Sequence, residues 1–262
     1  MGNKRSFGRQ FLISFAVLSV IPLLASCGLD TFYYLDPPMS DGHQAGLSST
    51  DESQNYFSCR TNEESSTGSN SEYFGSADLL FLGTEIYYRI YTNSSTMASV
   101  ENSVSSMLSA TNYSSATEYL ISTKKYKPLG IDYGSISPLI KAGSSPQNRY
   151  VYIRLTDDGA DFPDGAICVS NGVLRGPSAA DELTFGVESV YPCRSVENRG
   201  FNFGKNGVPK PQSGDDDVEY GSGPEDGKWY VDMYAVSVGR DSSYSNTYSQ
   251  PYLMGSVTIS SN

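Results

Sequence analysis

Two runs of strict alternation constrain this chain more than anything else in it. In "LFLGTEIYYRIYT" (80–92), Ile86, Tyr88 and Ile90 interleave with Glu85, Tyr87 and Arg89. "KWYVDMYAVSVG" (228–239) has the same rhythm, followed by a turn and "PYLMGSVTIS" (251–260). A period of two sends alternate side chains to opposite faces of a strand. "QNYFSCRT" (54–61) and "NRYVYIRLTDD" (148–158) add two more strands, the latter with Val151, Ile153 and Leu155 on one side. "AICVSNGVLRG" reads as a short hairpin turning at Asn171-Gly172, and "DELTFGVESVYPCRS" has strand character. Strands at this spacing, with 20 Tyr, 11 Phe and 25 Gly in 262 residues, predict a mainly β, two-sheet sandwich.

The rhythm changes once. In "STMASVENSVSSMLSAT" (95–111), Met97, Val100, Val104, Met107 and Leu108 fall on one helical face. "SATE" (115–118) is a capping-box pattern ahead of "YLISTKKYK", which Pro128 closes. The expectation is a helical insertion over 95–127. As an insertion, its removal should hurt less than truncating Trp229.

The start of the chain has a different logic. Lys4, Arg5 and Arg9 precede an apolar run from Phe11 to Leu24, and then comes "LASC". The run is too short for a comfortable membrane span, and basic, apolar and small-residue regions in that order are an export signal. A cysteine directly after Leu-Ala-Ser resembles the lipobox of bacterial lipoproteins. The resemblance implies a signal peptide over 1–26, removal of that peptide, and covalent lipid on Cys27. "MGNKRS" also fits an N-myristoylation pattern, but the export signal behind it argues against that reading. "LDTFYYLDPP" ends in Pro37-Pro38 and reads as an edge strand and a stop. The expected plan is thus a tether over 27–31 and one sandwich domain over 32–262.

Charge and composition exclude several functions. Removing residues 1–26 takes three positive charges and no acid, so the net charge moves from -11 to -14. That argues against nucleic acid, whose affinity comes largely from Lys and Arg on phosphates. His43, in "SDGHQAG", is the single histidine, so a His-rich zinc site cannot form and any Ser-His-Asp site would have to use it. Two acidic runs offer hard oxygen ligands for calcium: Asp157, Asp158, Asp161 and Asp164, and then Asp215, Asp216, Asp217 and Glu219. Neither fits the EF-hand pattern, and solvated loops are the alternative. Besides Cys27 there are Cys59, Cys168 and Cys193. Cys168–Cys193 closes the shortest loop and is the favoured disulfide, with three reduced, buried thiols as the alternative. No cofactor is expected beyond the lipid. Tyrosines along "IYYRIY" could form an aromatic platform for sugars, or be core on one face and shield the sheet on the other.

"TEIYYRIY" and "WYVDMYAVSVG" resemble strands C and F of a fibronectin type III module, and "YLMGSVTIS" its last strand. Trp229 then stands where that family has the tyrosine of its strand-F corner. "CGLDTFYYLDPP", "GTEIYYRIY" and "WYVDMYAVSVGRDSSYSNTYSQPYLMGSVTI" are similar to a group of treponemal lipoproteins of undefined role. The resemblance implies a spirochaete envelope protein and brings no activity. The function expected is a non-enzymatic, lipid-anchored envelope module, at the outer rather than the inner membrane, binding a protein or glycan. The alternatives are a structural envelope lipoprotein and a carboxylate-based glycan hydrolase.

Overall fold

The computed structural model describes residues 33–47, 55–64, 70–109, 114–131, 137–143, 146–156, 165–170, 190–197, 199–205 and 207–261. The folded unit spans Leu35–Asn262. Its strands are β1 (Phe57–Arg60), β2 (Leu79–Tyr91), β3 (Lys127–Pro128), β4 (Gly130–Ile131), β5 (Ile140–Lys141), β6 (Tyr150–Arg154), β7 (Ala166–Ser170), β8 (Pro192–Cys193), β9 (Val218–Glu219), β10 (Lys228–Asp241), β11 (Asn246–Tyr248) and β12 (Tyr252–Ser260). Between β2 and β3 lie α1 (Ser94–Ser109) and α2 (Ser114–Glu118), the latter continued by a π-helical turn, Tyr119–Thr123.

The two alternating runs are the spine. β2 and β10 pair antiparallel along almost their whole length, from Tyr91↔Tyr230 to Leu79↔Asp241. Short strands complete both flanks. β12 and β11 share the free edge of β10, and β3, β5 and the parallel β9 share that of β2, making seven strands. A second sheet has the order β1-β6-β7, all antiparallel, and β4 pairs with β8 apart from both. The fold is therefore mixed, with a 3-stranded and a 7-stranded sheet and a short helical segment, consistent with a generic β-sandwich.

The larger core fills the space between the sheets. Ile86, Tyr88, Ile90, Trp229, Val231 and Met233 meet Phe57, Cys59, Val151, Ile153 and Ile167. Trp229 packs edge-on to Phe203 at 5.9 Å, a core residue as its alternation with Val231 and Met233 requires. The opposite face of the large sheet is also covered. Met97, Val100 and Val104 of α1, with Ala116 and Leu120, close over Tyr87, Tyr91, Tyr234 and Val236. The helical face read from spacing is thus the buried one. The helices do not decorate a sheet; they form its third layer. Asn93 starts α1, its Oδ1 accepting from Ser95 N at 2.8 Å and Thr96 N at 3.2 Å.

The N-terminal expectation needs correction. Tyr33–Pro38 is not a strand. Consecutive prolines withhold two ladder donors, and a side chain takes the place of a strand partner. Asn70 is fully buried; its Oδ1 accepts from Asp36 N and its Nδ2 donates to Asp36 O, both at 2.9 Å. The segment still belongs to the fold, because Leu35 is 1% exposed. Further along, Ala45 bridges to β12 at Gly255, whose φ of +112° and missing Cβ permit the approach; a Cβ would sit 2.3 Å from Ala45 O.

Candidate functional site

A charged residue in the middle of an apolar strand is the natural starting point. Asp232 lies between Val231 and Met233 on β10 and is fully buried. Its neighbours in register are Arg89 on β2 and Ser256 on β12, on the face roofed by α1. Tyr126 donates to Asp232 Oδ2 at 2.6 Å and meets Tyr91 OH at 2.8 Å. Ser256 donates to Glu101 of α1 at 2.5 Å. Arg89 turns away from Asp232. Its guanidinium donates to Lys125 O at 2.8 Å, to Asp216 O and Val218 O, and to the Glu219 carboxylate at 2.9 Å. Asp232 is left without an ion pair. Burial drives its carboxyl well above the usual range and the charge of Glu101 adds to this; the Tyr126 hydrogen bond opposes it. Asp232 Oδ1 and Tyr234 OH are buried without a hydrogen-bond partner. The group is a buried cluster of tyrosines and a carboxyl beneath α1.

Glu85 is a second buried acid in β2. It accepts from Ser137 Oγ at 2.6 Å and Leu139 N at 3.0 Å. Burial pushes its carboxyl up to about 7 against the pull of these hydrogen bonds.

The acidic run over 215–219 has an internal partner. Arg194 is fully buried. It grips Asp217 with two bonds, Nε to Oδ2 at 2.9 Å and Nη2 to Oδ1 at 2.6 Å, and reaches Asp215 Oδ2 at 2.6 Å. Tyr88 donates to Asp217 Oδ2 at 2.6 Å and accepts from Ser195 N at 2.7 Å. The paired fork on Asp217 suits a planar guanidinium. At Asp215 and Asp217, which the acidic run offered as calcium ligands, Arg194 forms a clamp that fastens the loop to β2. Among the described residues no cluster of three or more His, Cys, Asp or Glu side chains is placed to hold a metal. Asp157, Asp158, Asp161 and Asp164 lie outside the described residues.

His43 does not assemble a triad. Its ring stacks on Tyr56 at 3.9 Å, and its Nε2 lies 2.9 Å from Tyr56 O, so Nε2 carries the proton. Asp41 Oδ1 accepts instead from His43 N and from Ser58 Oγ, at 3.0 and 2.7 Å. The cysteines are corrected too. Cys59, Cys168 and Cys193 are all free and buried. Cys168 sits in the three-stranded sheet and Cys193 in the β4–β8 pair, and neither is joined to another cysteine. Cys27 lies outside the described residues.

Of the two readings of "IYYRIY", core and shield rather than sugar platform fits the structure, because Tyr87, Tyr88 and Tyr91 are all buried. Alternation could not reveal this, since it says nothing of a roof built by residues 94–123. The outer face of α1 carries a shallow groove lined by Ser95, Ala98, Ser99, Asn102, Ser103 and Ser106. Ser103 and Ser106 donate back to their own helix, to Ser99 O and Asn102 O at 2.8 Å. Sequence reading passed over Asp232, Glu85 and Arg194; an acid flanked by Val231 and Met233 was the available signal. Comparison with protein-family models, with curated proteins and with solved structures finds no match.

Proposed function

We propose that the chain is a lipid-anchored envelope protein whose folded unit serves as a non-enzymatic binding module, held to its membrane through Cys27. The order of the leader carries the reading: basic residues, an apolar run and "LLASC" directly before a short approach to the fold. The burial of Leu35 supports it, because a core residue stands eight positions after the cysteine. At 3.3–3.6 Å per residue such a tether reaches at most about 29 Å. Two or more acyl chains would give stable anchoring.

Kinship with treponemal lipoproteins belongs to this proposal, as does placement at the outer membrane. So does the match of β2, β10 and β12 to fibronectin type III strands. The long β2–β10 pairing supports the last point, and the helical third layer departs from that module. With the aromatic face of β2 roofed, recognition of a protein or glycan falls to loops. A glycan hydrolase finds little support in Asp232 and Glu101, which lie where α1 covers the sheet rather than across a cleft.

The test is Cys27→Ser in the full chain. The wild type should carry acyl mass on Cys27 and partition into detergent. The variant should stay an uncut precursor or leave the membrane fraction. A variant that runs and partitions like the mature wild type would remove Cys27 as the anchor.

A further inference from the structure

One end of the β2–β10 ladder combines the start of the fold with exposed apolar side chains that the fold itself does not require. Methyl carbons of Leu35 and Leu79 lie 3.2 and 3.1 Å from where a Cβ on Gly239 would be, so the chain enters the domain here. At this end β2 begins at Leu79, opposite Asp241, and β10 turns over into β11. The turn is tightly held. Asp241 Oδ1 accepts from Ser243 N, Ser243 Oγ and Ser245 N at 2.9, 2.7 and 2.8 Å, and Ser242 N donates to Asp78 O at 3.1 Å.

At the tip, Tyr244 has φ +65° and is 83% exposed. Glycine or asparagine would suit that backbone better. The turn's own bonds come from Asp241 and the serines, so the ring is not needed to build it. Leu80, opposite Arg240, is 41% exposed on the same end. Arg240 and Asp78 are both exposed there, and with Asp241 the end carries one base and two acids.

The point of entry sets which end stays within the tether's reach of the membrane. β10 has 14 residues and is about 45 Å long at ~3.3 Å per residue. A tether of at most about 29 Å entering beside Gly239 is shorter than that strand. It keeps this end within that reach of the bilayer, whereas the other end, with Tyr220, is free to stand a further strand length away. Tyrosine has an apolar body and a polar tip, which suits the headgroup zone.

We propose that this end of the ladder, with Tyr244 and Leu80 at its tip, docks on the headgroup region of the bilayer that holds the anchor. This rests on the lipid-anchor reading above. The experiment uses the full lipidated chain in phosphatidylcholine vesicles with brominated acyl chains. Tyr244→Trp and Tyr220→Trp are compared, with buried Trp229 as the common background. Flotation with the vesicles reports the anchor, and quenching reports the orientation. The expected result is flotation of both variants, with added fluorescence quenched several-fold more at 244 than at 220. Flotation with equal quenching, or with more at 220, overturns the docking and leaves the anchor standing. A chain that neither floats nor carries acyl mass on Cys27 overturns both. A dimer of the soluble chain that Tyr244→Ser abolishes would assign this end to a second copy and also overturn the proposal.

Discussion

Glu85 and Asp232 share a condition that sets how this protein responds to pH. Each carboxyl is raised by burial, so the folded state binds a proton that the unfolded state has released. A raised carboxyl contributes stability that is full below its unfolded value and is lost as pH rises through its folded value. For Glu85 the window runs from about 4.5 to about 7. A shift of roughly 2.5 units corresponds to about 3 kcal/mol. Asp215 works the other way. Burial would raise its carboxyl, but the Arg194 hydrogen bond and charge outweigh this and hold it low, so its contribution is lost in acid. Stability should therefore peak in mildly acidic solution and fall toward neutrality. Calorimetric unfolding between pH 4.5 and 7.5 should show a midpoint that drops with rising pH. Glu85→Gln should flatten that slope, since the amide has no proton to lose. An unchanged slope in the variant would show that Glu85 titrates normally.

At the scale of elements, the helical segment is the part whose role changes most. Taken as an insertion, its deletion should be milder than Trp229→Ala. Its packing reverses that order. Met97, Val100, Val104 and Leu120 cover Tyr91, Tyr234 and Val236, and α1 also roofs Asp232. Removing 95–125 would expose a full sheet face together with a buried acid. The deletion should prevent folding, whereas Trp229→Ala should cost roughly 3–5 kcal/mol and leave a cooperative transition. Urea unfolding followed by circular dichroism distinguishes them. A deletion variant that unfolds cooperatively at a higher urea midpoint than Trp229→Ala would restore the insertion reading. The strap from Leu35 to Ala45 is bound in another way, by Asn70, by a single bridge from Met39 to Arg60 and by the Gly255 gap.

For the whole molecule, three free thiols lie inside the fold, and the burial that hides them also pushes Cys59 and Cys168 upward. Raised, buried thiols react slowly. Residues 28–262, purified without reductant, should show almost no reaction with a thiol reagent when folded. In denaturant they should yield three thiols per chain. A count of one would mean that two of Cys59, Cys168 and Cys193 are bridged after all.

The sequence by itself determined the pieces whose physics is local. Alternation in 80–92 and 228–239 required the two long strands, and Met97, Val100 and Val104 required an amphipathic helix, because both patterns are properties of a few consecutive residues. The free, buried cysteines stood among its alternatives. Tertiary structure alone decided what covers each face. Nothing near Asp232 announces that α1 will roof it, so its raised carboxyl was illegible. Nothing near Asp217 announces Arg194, 23 residues earlier in the chain. Asn70 stands in for a strand across 34 positions, turning an expected edge strand into an irregular strap. In each case the deciding partner is distant in sequence. Burial and pairing are set by such partners, while periodicity is set by neighbours.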